Sequence, residues 1–103
     1  MNPNQELLKR LEGRIQNATA KGCGTDCVSR SFAPKLSVAE DPVCGSAHCQ
    51  IADYWASELN KTTIEAYQAS KRGGYLYCEI CGDRMAISGN ATLVAISDIM
   101  VSL

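Results

Sequence analysis

The apolar positions of the first twenty residues recur at helical spacing. Leu7, Leu8, Leu11 and Ile15 share one helical face. Asn2 can cap, Pro3 takes the first helical position, and Gln5 completes a capping-box arrangement. The pattern predicts a helix over 2–20 that stops at Lys21-Gly22. Gly13 inside it costs about 1 kcal/mol relative to alanine.

A second helical pattern covers 50–72. Ile51, Trp55 and Leu59 fall on one side, Ile64 and Tyr67 continue it, and Thr62-x-x-Glu65 reads as a capping box. Lys71 and Arg72 suit a helix C-terminus, and Gly73-Gly74 supplies a positive-φ stop. Between these helices, 22–49 is punctuated by Gly, Ser, Asp and Pro and has few apolar residues of its own. After Gly82, Met85-Ala-Ile87 predicts a short strand and Ser88-Gly89-Asn90 a turn. Leu93, Ile96, Met100 and Leu103 then repeat at 3-4-3, favouring a helix. Asp98 is the sole side-chain charge in 93–103, so this segment is expected to be buried or to form a homodimer through Leu93–Leu103.

Length and charge narrow the function classes. At 103 residues the chain makes one small domain, of a size that often relies on a metal, a disulfide or a partner for stability. The net charge of −1, with both signs interspersed, lacks the electrostatic footprint of nucleic-acid binding. No window has the eighteen apolar residues of a membrane span, and Met1–Glu12 has no apolar signal core. A cytoplasmic location with reduced thiols is therefore expected. The glycosylation sequons at Asn17, Asn60 and Asn90, with an even cysteine count, support the alternative of a secreted disulfide-rich protein.

The six cysteines form three pairs: Cys23/Cys27, Cys44/Cys49 and Cys78/Cys81. Paired thiolates close in sequence are the usual ligands of structural zinc. Cys78-Glu-Ile-Cys81-Gly82, reached through Gly73-Gly74-Tyr75, reads as a Cys-x-x-Cys knuckle. Nothing downstream can complete it, so Cys44 and Cys49 are the expected partners across the central helix. Cys23, Cys27 and His48 are competing ligands. Four thiolates leave no open coordination position, so the Zn2+ would be structural. A thiol–disulfide role for Cys78/Cys81 is a further alternative, although no thioredoxin-like pattern surrounds them. No Ser/His/Asp set, acidic pair or phosphate-cradling loop is visible, so a non-enzymatic role is favoured.

Tyr77-Cys78-Glu79-Ile80-Cys81-Gly82 resembles the zinc-finger segment of the DksA/TraR family, small regulators that bind RNA polymerase. The resemblance covers roughly Leu59 to Ile87 and implies a zinc knuckle and a regulatory role in transcription. Asp41-Pro42-Val43-Cys44-Gly45 is similar to the opening of YHS-type metal-binding domains, which implies that Cys44 and Cys78 cooperate. The combined expectation is a mainly α, zinc-stabilised single domain over 1–103 with a small β element. Its segments would be helix 2–20, cysteine-rich 22–49, helix 50–72, knuckle 73–82 and apolar 85–103. It would act as a regulatory or adaptor protein through contacts with a protein partner.

Overall fold

Inward-facing residues that alternate along the chain organise the molecule, and they do so in segments that also carry helical signals. A computed structural model describes residues 1–102. In β4 (Thr63–Gln68), Ile64, Ala66 and Gln68 are buried while Thr63 and Glu65 are exposed. In β5 (Gly74–Cys81), Leu76 and Cys78 are buried while Tyr75, Tyr77 and Glu79 face out. This period of two is that of a strand with one covered face.

These two strands belong to one mixed sheet with β1 (Gln16–Lys21), β2 (Cys27–Ala33), β3 (Val38–Asp41) and β6 (Arg84–Ser88). The order is β1-β2-β4-β5-β6, with β3 also pairing to β2. All pairs are antiparallel except β2 with β4, where Cys27, Val28 and Ser29 face Ala66, Tyr67 and Gln68. Parallel neighbours need a crossover, and α2 (His48–Leu59) supplies it. Its start lies over Ser29, which pairs with Gln68 at the end of β4, and it then runs back to where β4 begins. His48, Ile51, Ala52 and Ala56 form its buried stripe. They pack with Cys27, Cys44, Ile64, Ala66, Leu76 and Cys78 into one core.

The expectation of a mainly α chain is thus corrected to a sheet with one long helix. The 2–20 helix shrinks to α1 (Gln5–Leu8). Asn4 rather than Asn2 caps it, its Oδ1 accepting from the N–H groups of Glu6 at 3.1 Å and Leu7 at 3.2 Å. Gly13 then turns the chain at φ +89°, and residues 16–21 pair in full register with β2. Leu7 and Leu11 stay exposed while Ile15 packs against the core, so the four residues do not act as one helical stripe.

The 50–72 helix likewise ends early. Asn60 closes α2 in the left-handed region at φ 51°. The Thr62-x-x-Glu65 signal caps no helix; the Glu65 N–H donates to Asp26 Oδ2 at 2.8 Å, and Lys61 pairs with Asp26 Oδ1 at 2.8 Å. The Thr-Thr-Ile run and Tyr67 favour a strand once β2 and β5 are present to pair with it. From Gly89 to Ser102 the chain carries no helix or strand, so the expected helix over 93–103 is absent from the described residues, and Leu103 lies outside them. Leu93, Val94, Ile96, Ile99, Met100 and Val101 are all exposed.

Candidate functional site

The anticipated zinc knuckle does not form. Cys78 and Cys81 both lie in β5, and residues three apart on a strand point to opposite faces. Cys78 is buried and Cys81 is exposed. Gly82, at φ 63°, is the first of the two residues joining β5 to β6, where a two-residue hairpin favours glycine. Cys44 is buried beside the start of α2, whereas Cys49 on α2 is exposed. Cys23 is exposed on the β1–β2 loop, and Cys27 is buried at the start of β2. Among the described residues, no group of three or more His, Cys, Asp or Glu is arranged to hold a metal.

All six thiols are unpaired, which corrects the secreted disulfide reading. The thiol–disulfide reading fails on the same strand geometry that separates Cys78 from Cys81. Burial moreover pushes the Cys78 thiol up and the Cys27 thiol up to about 11, disfavouring a reactive thiolate.

The polar chemistry gathers instead on the loop Asp41–Ala47, where β3 gives way to α2. Pro42 and the Asx turn at Asp41, whose Oδ1 accepts from the Val43 N–H at 3.0 Å, shape its first half. His48 is fully buried at the head of α2. Its Nδ1 lies 2.6 Å from the Cys44 carbonyl and its Nε2 3.0 Å from Ser29 Oγ. A carbonyl can only accept, so Nδ1 carries the hydrogen and Nε2 accepts from the serine hydroxyl. Burial holds this imidazole below its ordinary pKa and so favours its neutral state.

Gln68 reaches the same loop from the end of β4. Its Oε1 accepts from the Cys44 N–H at 2.7 Å and its Nε2 donates to the Asp41 carbonyl at 2.6 Å. Cys44 therefore has both main-chain polar groups held by buried side chains. The next three N–H groups, of Gly45, Ser46 and Ala47, have no partner among the described residues. They are donors at the positive end of the α2 dipole, and no side chain caps them.

Gly45, just ahead of this helix, lines a cleft of about 670 Å³ together with Val43, Arg72, Gly73, Gly74 and Asn90, among others. Arg72 also lines a second cleft of about 490 Å³ with Glu40, Pro42, Ser70 and Lys71. The Ser70 hydroxyl donates to the Pro42 carbonyl at 2.7 Å and accepts from the Gly73 N–H at 2.9 Å, tying the β4–β5 connection to the loop. Gly73 adopts φ 76°, and a Cβ on Gly74 would run into Val43. Those glycines therefore shape the cleft wall and do not end a helix. Glu40 is taken up by Arg30, with contacts of 2.8 and 3.0 Å, and this pairing lowers its pKa. Asp41 keeps one carboxylate oxygen without a partner among the described residues.

Comparison with known proteins identifies the family. The sequence profile of PhzC-PhzF, described as phenazine biosynthesis-like protein, matches residues 1–97. The chain belongs to the PhzC-PhzF family. It is 49% identical over 100 residues to an uncharacterized isomerase of Pseudomonas aeruginosa, covering 97% of this chain and 38% of that protein. It is 44% identical over 103 residues to an uncharacterized isomerase of Halalkalibacterium halodurans, covering 98% and 39%. A crystal structure of a PhzF-family protein from Enterococcus faecalis superposes with a TM-score of 0.86 at 49% identity, covering 91% of this chain and 36% of that one. One from Clostridium difficile, a putative PhzC/PhzF protein, gives 0.85 at 41% identity, covering 98% and 39%. The chain thus spans about two fifths of the length of these relatives.

PhzC-PhzF membership replaces the DksA/TraR and YHS likenesses and the zinc adaptor reading that rested on them. The Tyr77–Gly82 segment is a strand and hairpin, and Asp41–Gly45 is the approach to α2. Sequence reasoning noticed Cys44 and His48 but gave them to a metal, and it passed over Asp41, Ser29, Gln68 and Arg72 as site residues. Gln68 did carry a signal. It is a polar residue in phase with Ile64 and Ala66, on the inward side of an alternating strand.

Proposed function

We propose that this chain carries part of the site of a PhzC-PhzF isomerase. In this reading the start of α2 binds an anionic group, such as a carboxylate, of a small substrate, and neighbouring side chains move a proton. The observation that carries the reading is the set of free N–H groups at Gly45, Ser46 and Ala47, in a chain nearly half identical to proteins described as isomerases.

An isomerisation that relocates hydrogen takes a proton from one carbon and returns it to another position. The electron pair left behind must be delocalised, and preorganised N–H donors stabilise the charge that develops on an adjacent carboxyl or carbonyl oxygen. The three amides can supply that stabilisation, and Arg72 can pair with a second anionic group across the cleft. Asp41, with one free carboxylate oxygen, is the proposed proton acceptor. The Cys44 thiol, 3.5 Å from Ser46 Oγ, is a second proton carrier on the same loop.

We place this activity in the cytoplasm, because all six thiols are unpaired and free thiols persist in reducing compartments. No helix among the described residues is long and apolar enough to cross a membrane.

A ¹H–¹⁵N titration of the chain with malonate tests the anion site. Saturable shifts centred on the amides of Gly45, Ser46 and Ala47 are expected. Shifts confined to surface lysines, or none, would contradict the reading.

A further inference from the structure

Asp41 and Cys44 are the first and fourth residues of a tetrapeptide with proline second. In an ordinary β-turn the carbonyl of the first would accept directly from the N–H of the fourth. Here neither group bonds to the other. The carboxamide of Gln68 stands between them, its Nε2 donating to the Asp41 carbonyl at 2.6 Å and its Oε1 accepting from the Cys44 N–H at 2.7 Å.

We propose that Gln68 is the positioning residue of this site, a wedge that holds the Asp41–Cys44 turn open so that the following amides point outward, unpartnered. The inference rests on the anion-site reading above and adds to it the element that sets its geometry.

Three observations support the wedge. Gln68 is fully buried and sits at the last position of β4, so the sheet fixes its backbone from both sides, opposite Ser29 on β2 and Gly74 on β5. A primary amide is the one neutral side chain of this length that presents a donor and an acceptor at adjacent atoms, as the open turn requires. The far side of Cys44 is fastened independently, because His48 takes the Cys44 carbonyl and is braced by Ser29. With Cys44 held at both ends, the helix start is fixed before any ligand arrives, and the cost of ordering it does not fall on binding.

Removing the wedge leaves the Asp41 carbonyl free to close on the Cys44 N–H. The turn would tighten and the amides of residues 45–47 would reorient. Gln68→Met keeps the volume and loses both hydrogen bonds. Gln68→Glu keeps the acceptor, loses the donor and sets a negative charge against the Asp41 carbonyl.

The test is the same malonate titration, run on the wild-type chain and on both variants well below their melting temperatures. The expected result is wild-type binding at Gly45–Ala47 and affinity at least about tenfold weaker in folded Q68M and Q68E. Equal affinity in folded variants would overturn the wedge and leave the anion site standing. A wild-type chain that does not bind malonate at these amides would remove the anion site and the wedge with it. Should both variants fail to fold, amide exchange in the wild type decides. The Cys44 N–H should exchange far more slowly than those of Gly45 and Ser46, and equal rates would overturn the proposal.

Discussion

His48 Nε2 lies 3.0 Å from Ser29 Oγ, joining the head of α2 to the middle of β2 through two fully buried or nearly buried polar groups. The other ring nitrogen binds the Cys44 carbonyl, so both ring nitrogens are hydrogen-bonded, and burial is what favours the neutral ring. Protonation would put a second hydrogen toward the serine hydroxyl and bury a charge.

A pH dependence follows. Burial lowers the folded-state pKa of His48 below its ordinary value of 6.5, so the unfolded chain takes up a proton first as pH falls. Stability contributed by the neutral imidazole is complete above about pH 6.5 and declines below it, until the folded-state pKa is passed. The melting temperature should therefore fall between pH 7.5 and pH 5. In His48→Gln it should be lower at pH 7.5 but flatter across that range. The paired carboxyls of Asp26 and Glu40 have depressed pKa values, and their stabilisation is lost only at more acidic pH, below the ordinary carboxylate range. Identical pH slopes in wild type and H48Q would contradict the assignment.

The thiols should divide by burial and not by sequence pair. Cys23, Cys49 and Cys81 are exposed, whereas Cys27, Cys44 and Cys78 are buried. Alkylation under native conditions should modify the first three quickly and Cys27 and Cys78 only on unfolding. Cys78→Ser and Cys27→Ser should each cost about 1–3 kcal/mol, as hydroxyls placed in an apolar core, while Cys81→Ser and Cys23→Ser should be near neutral. Equal costs for Cys78 and Cys81 in denaturant melts would restore the idea that they act as a pair.

Gly74 is expected to tolerate no side chain while Val43 keeps its own. Gly74→Ala should destabilise by about 1–3 kcal/mol through the clash with the valine methyl. Adding Val43→Ala should recover part of that loss, giving a coupling energy in a double-mutant cycle. Strictly additive effects would show that the contact is unimportant.

The apolar tail offers a separate prediction. Ile96 and Met100 are 87% and 90% exposed, in a segment without helix or strand. Such a stretch associates readily, and the chain should sediment as dimers or larger species. Ile96→Asp with Met100→Asp should shift it toward monomer. A wild-type chain that is monomeric at high micromolar concentration would contradict this.

The sequence was most legible where one signal acted alone. The Ile51–Trp55–Leu59 face of α2 can be read directly, and the positive φ of Gly73 was also legible, although as a helix stop and not as a turn between two strands. Strand β4 could not be read this way. Its Thr62-x-x-Glu65 cap and apolar spacing satisfy a helix template locally, and only the ladders with β2 and β5 decide for a strand. The same long-range pairing separates Cys78 from Cys81, whose spacing alone suggested a metal clasp. The site itself was half visible. Cys44 and His48 stood out by type, but their roles depend on Gln68 and Ser29, which are distant in sequence and meet them only through the parallel pairing of β2 and β4.

The central proposal is that the loop before α2 supplies the proton-transfer residue of an isomerase site. It is tested most directly by incubating the chain in D2O with a panel of small carboxylic acids that carry an acidic C–H beside the carboxyl group, and reading deuterium incorporation by NMR or mass spectrometry. The account predicts enzyme-dependent incorporation into at least one acid, reduced about 10²- to 10⁴-fold by Asp41→Asn. Incorporation that persists unchanged in D41N, or none above the uncatalysed background, would contradict it.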